Sequence, residues 1–319
     1  MASIRSRESV LPSVSSLREA SELLAEAHAA GRRLLIGKDL TTEGLGRVLE
    51  HEAGDLTCTV EAGIRLSALN DELGRHGQRL SLDPPGDPTV GAVLAGNLSG
   101  PLRHRFGAAR DLVLGVTLVL ADGTIANAGG KVVKNVAGYD LARLVCGSNG
   151  RLALIGRVSF RLHPIPRSAE TLVFEGKDVV PTVASLLHSQ LQPSALDVLH
   201  PGRVGVLFEG SPSAVDEQIA AAQRLAESNE GLVTIRHEEP IWDESRKRQG
   251  ASLGRIRFAP GDLGRALPLI AEAVIRPAAG VAYLPVTAPD DTAPEVRRLE
   301  RAIREQLDPR GVFSGVPAA

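Results

Sequence analysis

The chain has 319 residues, 43% of them hydrophobic and 23% charged, with a formal net charge of −2. That length suits two domains with buried cores, and the near-neutral balance argues against a nucleic-acid binder, which would show a basic excess. No stretch approaches the roughly 20 consecutive apolar residues that span a bilayer.

Met1 to Pro12 lacks the apolar core of a signal peptide. Cys58 and Cys146 are the two cysteines, each inside an apolar segment, and they read as buried thiols in a reducing cytoplasm. Without a Cys/His array, no metal site is expected.

Ser16 to Glu19 forms a capping box, and Leu17, Ala20, Leu23, Leu24 and Ala27 follow at helical spacing until Gly31. A short strand is expected at Arg33–Ile36, a β-branched strand at Thr57–Val60, and a helix from Arg65 to His76. Val113–Leu120 reads as a strand, Asp122-Gly123 as a hairpin turn, Thr124–Ala126 as the returning strand, and Leu154–Leu162 as a further strand. Pro164 and Pro166 mark a boundary. Beyond it come a strand (Thr171–Phe174), a helix (Val179–His188), two strands (Ala195–Leu199, Val204–Phe208), a helix capped by Ser213 (Ala214–Ala226) and a strand (Leu232–Ile235). That β-α-β-β-α-β order resembles a ferredoxin-like sandwich. A strand at Gly254–Phe258, a helix at Leu263–Ile275 and a strand at Val281–Leu284 extend it, and a helix at Ala293–Gln306 closes the chain. Arg246-Lys247-Arg248 reads as a solvated face.

Two glycine-rich segments carry most of the chemistry. Ser81 to Gly100 and Lys134 to Leu152 are rich in glycine and small polar residues, which let a ligand approach backbone amides closely. Two such segments around β-rich sequence suit a large ligand in an extended groove, and a flavin dinucleotide fits. Thr89–Gly100 reads either as a helix N-terminus offering amides to a pyrophosphate or as a Gly/Ala-rich helix packed into a core. No Gly-x-Ser-x-Gly elbow, P-loop or Gly-x-Gly-x-x-Gly unit is present.

Pro84-Pro85-Gly86-Asp87-Pro88-Thr89-Val90-Gly91 through Asn97-Leu98-Ser99-Gly100 resembles the flavin-binding segment of the vanillyl-alcohol oxidase/PCMH superfamily. Arg105 to Val116, Ala121-Asp122-Gly123, Lys134 to Leu141 and Leu307 to Phe313 are similar to later segments of that family. The resemblance implies an α+β fold: a two-lobed PCMH-type FAD-binding domain (1–166), an α+β ferredoxin-like cap domain (167–306) and a tail (307–319) returning to the FAD domain. It implies noncovalent FAD held by Gly86, Asp87, Thr89, Val90, Gly91, Gly96, Asn97, Ser99, Gly100, Arg105, Gly107, Asp111, Gly147, Gly150 and Ile155. Three departures stand out, one being that the first glycine segment looks one or two residues short. Ile36-Gly37-Lys38-Asp39 replaces a glycine-rich anion loop about ten residues longer. Gly147-Ser148-Asn149-Gly150-Arg151-Leu152-Ala153 stands for Gly-Ser-Glu-Gly-Thr-Leu-Gly.

The length and second domain resemble an accessory FAD-binding subunit of a glycolate/D-2-hydroxy-acid dehydrogenase complex, which oxidises glycolate to glyoxylate with hydride transfer to flavin. The implied partners are a larger catalytic FAD subunit, an iron–sulfur subunit and a small 2-hydroxy acid, in the cytoplasm or peripheral to a membrane through those subunits. The His-x-x-Asp-Gly-Asn-x-His metal segment of full-length catalytic relatives is absent here. A stand-alone oxidoreductase and a scaffold that has lost FAD are the alternatives. Catalytic candidates are His104, weighed against a solvated surface histidine, with Tyr139 and Lys134. Asp140 either orients the flavin or Lys134, or caps the helix that follows it.

Overall fold

The computed structural model describes residues 13–130, 140–227, 233–236, 240–290 and 292–314. Its first part runs α1 (Leu17–Ala29), β1 (Val48–Glu52), β2 (Thr57–Glu61), α2 (Leu66–Gly74), β3 (Gln78–Arg79), α3 (Val90–Gly96), α4 (Arg103–Phe106), α5 (Ala109–Leu112), β4 (Val113–Val119), β5 (Ile125–Gly129), α6 (Leu141–Val145), β6 (Leu154–Arg161) and β7 (His163–Pro164). Strands β1, β2, β4, β5 and β6 form one antiparallel sheet in the order β1-β2-β6-β4-β5. Period-two alternation divides its side chains between two cores. Leu154 and Val119 pack with Leu24 and Ala27 of α1 and with Phe313. Ile155, Val158 and Leu118 pack with Leu69, Val93 and Val145 from α2, α3 and α6. Gly156 is what lets α1 lie this close, because a Cβ there would fall 2.2 Å from Leu17 Cδ2.

The second part runs β8 (Ser168–Glu175), α7 (Val180–His188), β9 (Ala195–His200), β10 (Arg203–Gly210), α8 (Pro212–Glu227), β11 (Val233–Arg236), α9 (Ile241–Gly250), β12 (Gly254–Arg257), α10 (Leu263–Ala266), β13 (Ala273–Arg276), β14 (Val281–Leu284) and α11 (Pro294–Leu307). Its seven-stranded sheet has the order β11-β8-β10-β9-β13-β14-β12. The first four strands follow the ferredoxin-like arrangement expected from the β-α-β-β-α-β pattern. Phe174, Val198 and Val206 pack under α7 and α8. Val173 and Leu199 face the other way, against Ile241 and Trp242 of α9.

Several sequence expectations are corrected. Residues 33–36 form only isolated bridges, Leu34 to Phe313 and Ile36 to Leu40, because neither partner belongs to a strand. The helix expected at 263–275 stops early: Pro268 interrupts it, and β-branched Val274 and Ile275 enter β13. Ser211, not Ser213, accepts an amide at the start of α8, from Ala214 N at 3.4 Å. Helix α9 was not anticipated, since its polar composition carries little periodic signal. Its Arg246 and Arg248 are ion-paired, to Asp83 and Asp243 and to Glu244 and Glu272. Cys58 is buried, whereas Cys146 is only partly so.

Side-chain contacts tie the parts together, and the chain's last described residues return to the first part. Arg79 on β3 makes paired bonds of 2.9 and 2.6 Å to Glu209 on β10. Past α11, buried Asp308 accepts the amides of Val312 and Phe313 at 2.8 and 2.7 Å, setting Phe313 beside Leu34. Asp308→Ala leaves both buried donors unsatisfied, so urea unfolding should show a loss of about 2–3 kcal/mol. A midpoint equal to wild type would refute this anchoring role.

Candidate functional site

The two glycine segments meet directly. Helix α3 ends in a Schellman turn, with Leu98 N bonded to Val93 O and Asn97 N to Leu94 O. Asn97 takes the left-handed conformation at φ 47°, which asparagine tolerates better than most residues. The second segment supplies donors for the carbonyls a helix end leaves open: Gly147 N bonds Leu94 O at 3.1 Å and Asn149 N bonds Ala95 O at 2.9 Å. Asn97 Oδ1 also accepts from Arg110 N at 3.2 Å and from Cys146 Sγ at 3.3 Å. Burial pushes the Cys146 thiol up to about 12, so it remains a protonated donor.

A cavity of about 240 Å³ opens on one side of this junction, lined by Ile36, Thr41, Thr89, Ala92, Ala153 and Ile155 among others. The other side holds a cavity of about 490 Å³ between Gly147–Leu152 and α11, where Arg151, Arg297, Arg301 and Arg304 face a single acid, Glu300.

The amides around the smaller cavity are largely engaged within the protein. Val90 N bonds Ile64 O, Gly91 N bonds Ala62 O, and Thr89 Oγ1 accepts from Ala92 N. Gly37 N bonds Leu40 O, Lys38 N and Asp39 N both bond Leu35 O, and Leu35 N bonds the Asp39 carboxylate. The short loop is therefore a closed turn, and the helix start does not offer the bare amides expected of it. Gly91 is needed for packing: a Cβ would lie 3.0 Å from Ala62 O.

Of the residues implied by the resemblance, Thr89, Gly91, Gly150 and Ile155 line the smaller cavity and Gly147 the larger one. Val90 is in the core and Gly96 lies under Leu98. Gly86 and Asp87 border a cleft of about 560 Å³ toward α9. Asp87 accepts from Ser67 N and Oγ at 3.0 and 2.8 Å, which holds its carboxyl below its ordinary value and caps α2. Arg105 and Asp111 line a separate pocket beside His163, and Asp111 accepts from Ala108 N next to Gly107. Gly100 packs on the Asp83 backbone, and the Ser99 carbonyl accepts from Gln249 Nε2 at 2.8 Å. Tyr139 and Lys134 lie outside the described residues. Asp140 caps α6, accepting from Arg143 N at 3.0 Å.

Sequence reasoning missed a buried polar network between the seven-stranded sheet and α9. Arg276, 2% exposed, donates through Nη2 to Gln249 Oε1 at 2.7 Å and lies 3.3 Å from fully buried Asp197. Ser245 donates to the other Asp197 oxygen at 2.5 Å, and the Arg276 guanidinium stacks 5.0 Å over Tyr283. The signal was available: an aspartate sits inside the apolar run Ala195–Leu199, where a charge needs a partner. His104 is half-buried, and burial lowers its pKa against the opposing pull of Asp197.

Residues 37–129 match the family described as an FAD binding domain. The chain carries a PCMH-type FAD-binding domain. Along nearly its whole length it is similar to glycolate oxidase subunit GlcE of Escherichia coli, 28% identical over 88% of this chain and 87% of that protein. It is 41% identical to a D-lactate dehydrogenase of Archaeoglobus fulgidus over 42% of this chain, and 28% identical to the mitochondrial D-lactate dehydrogenase [cytochrome] of Arabidopsis thaliana over 67%. These matches span only 30% and 42% of those two dehydrogenases. Alkyldihydroxyacetonephosphate synthase shares the fold, with a TM-score of 0.71 at 16% identity over 94% of this chain and 75% of that one.

FAD is the cofactor of this domain type, and the residues present fit a flavin nucleotide. A mostly apolar cavity adjoins a cationic one across a single turn. The Ser148 hydroxyl, in the lining of the larger cavity, is buried without a partner among the described residues.

Asp83 lies where the cleft meets the buried network, 3.4 Å from Arg246. Burial raises its pKa from 3.8 to about 7 and outweighs Arg276 and Arg246. The folded chain therefore holds a proton that the unfolded chain releases. This contribution to stability is complete below pH 4 and lost as pH rises through about 7. Relative to Asp83→Asn, the wild type should lose stability across that window by up to about 1.4 kcal/mol per pH unit. The 18% exposure of the side chain moderates the slope. Parallel stability–pH curves for the two proteins would contradict it.

Proposed function

We propose that this protein is the FAD-binding subunit of a glycolate or D-2-hydroxy-acid dehydrogenase complex, acting beside a larger catalytic flavin subunit and an iron–sulfur subunit. The extent of likeness carries this reading: nearly all of a glycolate oxidase subunit is matched, but less than half of either dehydrogenase named above. The sequence also lacks the histidine metal segment that the resemblance assigns to catalytic relatives. Bound flavin supplies a two-electron acceptor for the hydride of a 2-hydroxy acid. The chain's own part is to seat that group between its lobes, with Thr89, Gly150 and Ile155 on one side of the junction and Ser148 on the other. The engaged amides of residues 37–39 and 90–92 favour one rival, a scaffold subunit that holds no flavin.

Absorption spectra of the full-length protein separate these readings. We expect flavin bands in the purified or FAD-incubated protein, bleached anaerobically by glycolate or D-lactate only when the partner subunits are added. A colourless protein that takes up no FAD supports the scaffold. Bleaching by the chain alone makes it a stand-alone oxidoreductase and overturns the subunit reading.

A further inference from the structure

We infer that the pocket where the chain crosses from the first part to the cap sheet binds a small organic anion, a carboxylate or phosphate on an apolar body, through Arg105, Arg161 and His163. Its volume is about 480 Å³, and it does not depend on bound flavin. Local structure assembles it. β3 pairs with β7 so that Arg79 stands opposite His163. Alternation along the chain puts Arg161 on the same side as His163, and both line the pocket. Helix α4 brings Arg105 and Phe106 beside them, and the end of β10 adds Glu209 and Gly210 from the second part.

The charges in this pocket do not balance. Arg79 is committed to Glu209 through paired bonds of 2.9 and 2.6 Å, and Asp111 accepts from Ala108 N. The guanidiniums of Arg105 and Arg161 make no ion pair or hydrogen bond among the described residues. His163 registers the resulting potential. Burial, then Arg161, Arg79 and Arg105, push its pKa down to about 4, so the ring is neutral at neutral pH. Its Nδ1 is buried without a partner among the described residues. Orphaned buried N–H groups are rarer than orphaned acceptors, so the proton belongs on Nε2, which is neither bonded nor buried. An anion entering here meets two planar cationic forks and a neutral N–H donor, while each carboxylate in the wall already holds a donor of its own.

The remaining wall is apolar and preformed. The Phe106 ring lies 4.6 Å from the His163 ring, and the guanidiniums of Arg79 and Arg105 stand over it at 5.5 and 5.9 Å. Such cation–π contacts orient the ring and the arginines together. Pro164, Ile165 and Pro166 continue the surface, with the prolines fixing the backbone and Ile165 left 45% exposed. Apolar surface beside uncompensated cations suits a ligand whose body packs over Phe106 and Ile165 while its anionic head meets Arg105 and Arg161. The volume of about 480 Å³ exceeds what a bare inorganic ion needs, and it falls within the roughly 300–1,000 Å³ of small-molecule sites.

NMR of the His163 ring in the full-length protein tests this, with phenyl phosphate, inorganic phosphate and benzyl alcohol as probes and FAD in excess to keep phosphate out of the flavin groove. Phenyl phosphate should shift the His163 signal saturably and raise its pKa from about 4 toward the ordinary 6.5. Inorganic phosphate should bind more weakly, and benzyl alcohol should leave the signal unmoved. The double variant Arg105→Glu/Arg161→Glu should weaken phenyl phosphate by about tenfold or more, and its His163 should titrate nearer 6.5 with no anion added. Arg298→Glu, an exposed charge reversal on α11 outside the pocket lining, should bind like wild type. A His163 signal unmoved by either anion, or equal affinities in wild type and the double variant, overturns the site. Phenyl phosphate binding no tighter than inorganic phosphate overturns its assignment to an organic anion.

Discussion

The end of helix α3 organises the rest of this protein. Any helix leaves its last carbonyls without intrahelical partners, and here the amides of a segment some fifty positions later satisfy two of them, Leu94 by Gly147 and Ala95 by Asn149. Asn97 reinforces the junction, since one left-handed residue lets its side-chain oxygen collect Arg110 N and the Cys146 thiol. Three chain segments are thereby held in one place at the mouth of the five-stranded sheet. Both cavities exist because this junction stands between them.

Tight turns that close their own hydrogen bonds, as at Leu35–Leu40, are rigid but offer a ligand little charge stabilisation. The cap sheet adds a different constraint. Asp197 and Arg276 are buried on neighbouring strands under α9, so they must remain paired, and Gln249 extends that pairing to the Ser99 carbonyl. Removing either charge would leave the other stranded, an outcome costlier than having neither.

Much of the fold was legible in the sequence, because its signals are local. The Ser16 capping box, the alternation in Val113–Val119 and the β-α-β-β-α-β rhythm each state a structure within a few residues. What was lost depended on distant partners. Residues 33–36 look like a strand, but Leu34 pairs with distant Phe313 and Ile36 only with nearby Leu40. Val274 and Ile275 sit in a helix-like stretch, yet the open edge of β9 claims them as a strand. At the site, the glycine segments were visible, and so was Asp140 as a cap. The direction in which their amides point was not, because Ala62 and Ile64 compete for those donors only in three dimensions. The closing helix was legible, but nothing within 294–307 announces that Gly147–Leu152 lies opposite it.

Hydrogen–deuterium exchange of the full-length protein with and without FAD tests the central claim most directly. If a flavin nucleotide sits across the α3 junction, FAD should slow exchange together in peptides covering residues 89–97 and 146–155, with the strands under α7 and α8 unchanged. Unaltered exchange in both peptides at saturating FAD, or protection confined to another part of the chain, would contradict it.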